Sequence, residues 1–180
     1  TLALYLVGAL SYISTTYLGD SIGDLILKYV QMPFLSVSQS LGSVILLTVA
    51  LSVFWFFGLH GPNVLAPALD GVYKIALTEN TNAYNATSSV KNLPHIWTRG
   101  SFDAFIWMGG SGTTIALIIA ILIFSKRAED RAVAKLSAPM GIFNINEPVI
   151  FGLPIVLNPI YLIPWIFVPA ILAIIAYTVT

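Results

Sequence analysis

An all-α integral membrane fold with interrupted helices is the class this sequence predicts, on three observations. The 180 residues are 57% hydrophobic and only 9% charged, against about 25% charged in an average soluble domain. Apolar runs recur at residues 2–17, 41–57, 102–124 and 159–180, near the roughly 20 residues that cross a bilayer, so three or four spans fit. Proline and glycine then interrupt two further stretches, at His60-Gly61-Pro62-Asn63 and at Asn146-Glu147-Pro148. Nothing alternates with the period of a strand.

The elements follow in chain order. Region 1–57 holds a span, an amphipathic helix and a second span. In Asp20–Gln31, Ile22, Leu25, Ile26, Tyr29 and Val30 recur at helical spacing, while Asp20, Asp24 and Lys28 share another face, the pattern of a helix lying at the interface. Leu41–Phe57 ends in the aromatic cluster Phe54-Trp55-Phe56-Phe57. Region 58–100 reads as a first re-entrant hairpin followed by a polar loop, because Gly58–Pro67 breaks any helix and Asp70–Gly100 is the one long polar stretch. Region 101–125 is a span, with Gly109–Thr114 read as small residues for close helix packing. Region 126–136 is an amphipathic charged loop. There Arg127, Arg131 and Lys135 form a basic stripe and Lys126 is placed to pair with Asp130. Its basic excess argues for the cytoplasmic side. Region 137–158 is a second re-entrant hairpin, and 159–180 a last span containing Pro164 and Pro169. Both ends of the chain fall in apolar runs, so the sequence is expected to be a piece of a larger membrane protein.

Composition also excludes. Eight basic and eight acidic residues give zero net charge, so no general attraction to nucleic acid is implied. There is no cysteine, hence no disulfide, thiolate nucleophile or Cys metal site. No His/Cys spacing suits a metal, no Ser/His/Asp arrangement is visible, and no cofactor is expected.

Glu147 is the most informative residue. It is the only charged side chain between Lys135 and the C-terminus. An acid at membrane depth costs about 2.5–3.5 kcal/mol on insertion scales, and a group kept against that cost points to function. Proline pushes its predecessor towards extended backbone and suits the start of a helix. A helix is therefore predicted to begin near Pro148, with Glu147 just outside it, and another near Pro62. Irregular backbone at such depth must be buried in protein or line a wet cavity, and paired Gly/Pro-interrupted segments mark transporter sites. The two tips are expected to bring His60, Gly61, Asn63, Asn144, Asn146 and Glu147 to one pocket. That inventory of acceptors and two-way hydrogen bonders suits a neutral polyol. Trp55, Trp97, Trp107 and Trp165 are available as sugar platforms or as interface anchors. Desolvation of Glu147 would fit it for proton transfer.

At this point the residues resemble a known family. The stretch from Gly141-Ile-Phe-Asn-Ile-Asn-Glu-Pro148 to Asn158-Pro159 is similar to the signature of enzyme IIC, the membrane component of the bacterial sugar phosphotransferase system, in its lactose/cellobiose/diacetylchitobiose branch. Phe54-Trp-Phe-Phe-Gly-Leu-His-Gly61 and Trp107-Met-Gly-Gly-Ser-Gly112 resemble two further elements of that branch in the same order. The resemblance implies a multi-pass homodimer in the bacterial cell membrane, in contact with lipid, that binds a disaccharide of the cellobiose or diacetylchitobiose type. It implies that His60 and Glu147 contact the sugar, and that Glu147 binds the hydroxyl to be phosphorylated and assists as a base. It also implies a phosphoryl donor cysteine on a separate partner, enzyme IIB. Two other readings of the same residues stand beside it: an ion- or proton-coupled secondary transporter with Glu147 as proton carrier, and a non-transporting membrane scaffold or receptor.

Overall fold

A computed structural model describes residues 2–26, 28–29 and 39–180. Among them every regular element is helical and there is no strand. The α-helices are α1 (Leu2–Leu18), α2 (Ile22–Ile26), α3 (Leu41–Phe56), α4 (Gly61–Val64), α5 (Ala66–Ala68), α6 (Ile75–Thr87), α7 (Arg99–Ser101), α8 (Thr114–Phe124), α9 (Ala128–Ile142), α10 (Glu147–Gly152) and α11 (Pro159–Val179). Two π-helical segments, Leu69–Lys74 and Phe102–Ile106, join α5 to α6 and extend α7.

The scaffold is the pair α3 and α11, which pack along one another. Ser40 starts α3 by accepting the Ser43 N–H. Val44, Leu47 and Leu51 then fall at helical spacing on one buried face. The buried hydroxyls of Thr48 and Ser52 donate to the carbonyls of Val44 and Thr48, at 2.7 and 3.0 Å, so neither of these two interior hydroxyls is an orphaned donor. The indole N–H of Trp165 on α11 donates to the Ser52 carbonyl of α3 at 3.0 Å. One apolar cluster joins Val44, Leu47 and Leu51 of α3 to Leu65, Leu69, Tyr73, Trp97 and Phe102; the other joins Trp55 to Ile118, Ala134, Val149, Ile150 and Trp165.

Of the expected spans, α11 alone among the described residues is long and apolar enough to cross a membrane, with 21 residues or about 30 Å of helix. Helices α3 and α8 are shorter apolar helices. Several expectations are corrected. The span predicted over Phe102–Phe124 is broken: a π-helical turn ends at Ile106, Trp107–Thr113 is irregular, and α8 has only 11 residues. Much of the expected polar loop is the helix α6. Its Thr78 and Thr81 hydroxyls donate back to the carbonyls of Lys74 and Leu77, and Asn80 exchanges two hydrogen bonds with the backbone of His95. Tertiary ties thus hold a segment of poor intrinsic helix propensity.

The charged loop of 126–136 is mostly the first turns of α9, which continues through Pro139 to Ile142. Asp130 pairs with Arg127 at 3.8 Å rather than with Lys126. Arg131 leaves the expected stripe to donate to the carbonyls of Leu122 and Ser125, closing the C-terminal end of α8. In the expected amphipathic helix, Ile22–Ile26 is helical and Ser21 and Asp24 cap its start reciprocally; Leu27, Val30 and Gln31 lie outside the described residues.

Candidate functional site

The two predicted breaks are built on one backbone pattern. Helix α3 ends as the N–H groups of Gly58 and Leu59 donate to the carbonyls of Trp55 and Phe54, at 2.9 Å each. Helix α9 ends as those of Asn144 and Ile145 donate to Gly141 and Met140, at 3.1 Å each. Both are Schellman closures, which need a left-handed residue at the turn. Gly58 supplies it with φ 78° and Asn144 with φ 61°, glycine and asparagine being the residues that reach this region at least cost. Two residues later comes an N-cap, His60 or Asn146, followed by a short helix with proline in its first turn. Glu147 is therefore the first residue of α10, not the last residue before it as the proline rule predicts.

The capping chemistry differs. The His60 Nδ1 accepts the Asn63 backbone N–H at 3.2 Å. An acceptor nitrogen carries no proton, so neutral His60 holds its proton on Nε2. That atom lies 4.0 Å from Glu147 Oε1. Asn146 makes no capping bond with its side chain. Its amide instead donates to the Ser111 carbonyl at 2.8 Å, while Asn144 accepts the Gly109 N–H at 2.9 Å. The glycine-rich turn 107–113 is thereby strapped to the second break. Gly110, at φ 99°, is required there: a Cβ on it would fall 2.6 Å from the Asn146 side chain.

A cavity of about 190 Å³ lies where the three irregular segments meet. His60 and Pro62 come from the first break, Asn144, Asn146 and Glu147 from the second, and Gly110 and Ser111 from the glycine-rich turn; Trp55, Arg99, Asp103 and Trp107 complete the wall. The side chains of His60 and Glu147 are 42% and 45% exposed. The carboxylate thus sits where water reaches it, which lowers the cost of keeping a charge in so apolar a chain.

Of the predicted site residues, His60, Trp107, Asn144, Asn146 and Glu147 line this cavity, and Gly61 and Asn63 do not. Gly61 is a packing residue: a Cβ there would lie 2.6 Å from the Leu51 carbonyl oxygen of α3. Asn63 contributes its backbone N–H to the His60 cap. All four tryptophans are buried, and of them Trp55 and Trp107 border the cavity. Trp97 sits among Phe102, Phe105 and Tyr177 in the core, and Trp165 is spent between α3 and α11. Trp107 stacks on Phe102, and the Arg99 guanidinium lies over its ring, 4.5 Å from the centroid.

Arg99 and Asp103, joined Nε to Oδ2 at 3.5 Å, were not anticipated as cavity residues. The signal was available: Arg99, Asp103 and Trp107 step at i, i+4, i+8, the spacing of one helical face.

A strongly apolar chain whose described elements are all helical and that keeps a polar cavity at its helix breaks has the architecture of a membrane protein. The family model described as "Phosphotransferase system, EIIC" matches residues 2–169, and the chain belongs to that family. It is 47% identical, over 99% of its length and 40% of the relative's, to the "PTS system cellobiose-specific EIIC component" of Lactococcus lactis subsp. lactis (strain IL1403). It is 34% identical, over 98% of its length and 39% of the relative's, to the "PTS system oligo-beta-mannoside-specific EIIC component" of Bacillus subtilis (strain 168). Among solved structures it is similar to the transporter ChbC, the IIC component of the N,N'-diacetylchitobiose-specific phosphotransferase system. The TM-score is 0.74 and the identity 33%, covering 98% of this chain and 40% of that one. The chain thus spans about two fifths of the length of these relatives.

Proposed function

We propose that this chain forms the sugar-binding part of a phosphotransferase-system membrane subunit that takes up a β-linked disaccharide of the cellobiose or diacetylchitobiose type. In this reading the sugar is presented to phosphorylated enzyme IIB. The observation that carries the proposal is the 4.0 Å gap between His60 Nε2 and Glu147 Oε1 in the cavity wall. It is too wide for a direct hydrogen bond. A hydroxyl oxygen about 2.8 Å from each atom fits it, accepting from the imidazole and donating to the carboxylate. The cap on Nδ1 supports this polarity, since it leaves Nε2 as the donor. The specificities for which these relatives are named support the substrate class.

Glu147 holds the hydroxyl that receives phosphate and takes its proton as base. Asn144 and Asn146 position the second break, and Gly61 and Asn63 the first. Phosphorylation adds negative charge; once Glu147 passes the proton it accepted to the water that reaches its half-exposed side chain, the phosphosugar faces an ionised carboxylate and is repelled, which favours release on the donor's side. The two broken segments act as re-entrant hairpins of a multi-pass homodimer in the bacterial cell membrane, with lipid around its apolar surface.

Glu147→Gln tests the reading in the full-length protein. It keeps shape and removes charge and basicity, so uptake coupled to phosphorylated enzyme IIB should fall about a hundredfold with thermal unfolding unchanged. Wild-type uptake in that variant would sink the proposal. Uptake that needs a membrane potential but no phosphorylated IIB would favour ion coupling instead.

A further inference from the structure

The cavity has a second charged centre that the proposed chemistry at Glu147 does not use. Arg99 and Asp103 lie one turn apart where α7 passes into the π-helical segment, and both line the cavity. The π geometry is visible in the Trp107 N–H, which donates to the Phe102 carbonyl five residues back at 2.9 Å; such segments often mark functional sites. The guanidinium is held twice, over the Trp107 ring and through Nε to Asp103 Oδ2. Asp103 is tethered in turn, its backbone carbonyl accepting from the Asn144 side chain at 3.5 Å. Asn144 is the residue that straps the glycine-rich turn to the Glu147 break, so both charged centres are referred to one rigid frame.

Stability does not account for the pair. The Asp103 side chain is 50% exposed and that of Arg99 26%, and ion pairs this open add little to folding. What the pair offers is chemistry. A carboxylate accepts from more than one donor, and Arg99 engages Asp103 through one oxygen only among the described contacts. Trp107 is largely buried, stacked on Phe102 and with Arg99 over its ring, and the charged groups on this wall are those of Arg99 and Asp103.

We infer that Asp103 contacts the saccharide as a second hydroxyl acceptor, some way along the sugar from the hydroxyl held by Glu147, and that Arg99 is the residue that positions it. The inference rests on the cavity being the saccharide site proposed above. It makes the site a two-point reader: one carboxylate at the hydroxyl to be phosphorylated, a second that selects for a hydroxyl elsewhere on the disaccharide.

The test is calorimetric binding of cellobiose and its monodeoxy analogues to the full-length protein in detergent. The unaltered protein should lose affinity about tenfold or more at two separate hydroxyl positions. Asp103→Asn should abolish the penalty at one of them and leave the other, which Glu147→Gln abolishes. Arg99→Met, which keeps packing on Trp107, should weaken binding and blunt the same penalty as Asp103→Asn, and Arg99→Lys should restore part of it. A single sensitive position in the unaltered protein would overturn the inference without recourse to any variant. So would an Asp103→Asn protein that binds saccharide with both penalties intact. Failure of the unaltered protein to bind any β-linked disaccharide would overturn the proposed function as well.

Discussion

The first break, Gly58–Pro62, and the second, Asn144–Pro148, match position for position: a left-handed residue, an apolar residue, an N-cap, one more residue, then proline. Their hydrogen bonds match too, with N–H groups three and four residues beyond His60 and Asn146 returning to those caps' carbonyls. They differ in where the chemistry sits. In the first break the cap itself, His60, faces the cavity, and the next residue, Gly61, is pressed on α3. In the second the cap, Asn146, is tied to the glycine-rich turn, and the next residue, Glu147, carries the free carboxylate. One backbone device thus serves two ends. Where the cap needs only its own helix, a ring nitrogen is left over for the cavity; where the cap holds a neighbouring segment, the functional group moves to the following residue.

The largest effect that would break this comparison is at the strap. Gly110→Ala should cost about 3 kcal/mol or more, from left-handed strain plus overlap with Asn146, and should abolish saccharide binding; thermal unfolding and calorimetry read the two losses. Next, Asn146→Ala removes the buried bond to the Ser111 carbonyl and should destabilise by about 1–3 kcal/mol. Its cost should vanish in a background where the 107–113 turn is already displaced by Gly110→Ala, which a double-mutant cycle measures. His60→Asn separates the two duties of the first cap. Asparagine caps well, so the melting temperature should hold, while loss of the Nε2 donor should weaken saccharide binding about tenfold; a large fall in stability would place His60 in the fold and not in the site. The smallest effect is Gly58→Asn. Asn144 already occupies the equivalent left-handed position, and a Cβ at Gly58 meets only Val156 at 3.4 Å, so the cost should stay within about 1 kcal/mol.

How legible the site was depended on how local its signals are. Pro62 and Pro148 announce helix starts through a missing N–H and a fixed φ, and the breaks lie where those rules place them. His60 and Glu147 stood out as polar groups beside such breaks in apolar surroundings. Gly109–Gly112 misled because small residues serve close packing and chain reversal alike; Gly109, Gly110 and Gly112 all take positive φ here, and the predicted span is interrupted. The helix α6 was hidden because its support comes from His95, fifteen residues downstream of Asn80. The tryptophans could not be sorted by composition, since burial depends on which helices meet.

The sequence by itself determined the apolar, helical character of the protein, the two proline-marked breaks and the isolated acid beside one of them. These follow from propensity, periodicity and the solvation cost of charge, all of which act over a few residues. Only the tertiary structure decided that His60 Nε2 stands 4.0 Å from Glu147, that Asn144 and Asn146 hold a third break, and that Arg99 and Asp103 share the same cavity. Those are contacts between segments distant in the chain, set by how α3, α9 and α11 pack; spacing puts Arg99 and Asp103 on one face with Trp107 but does not say what that face meets.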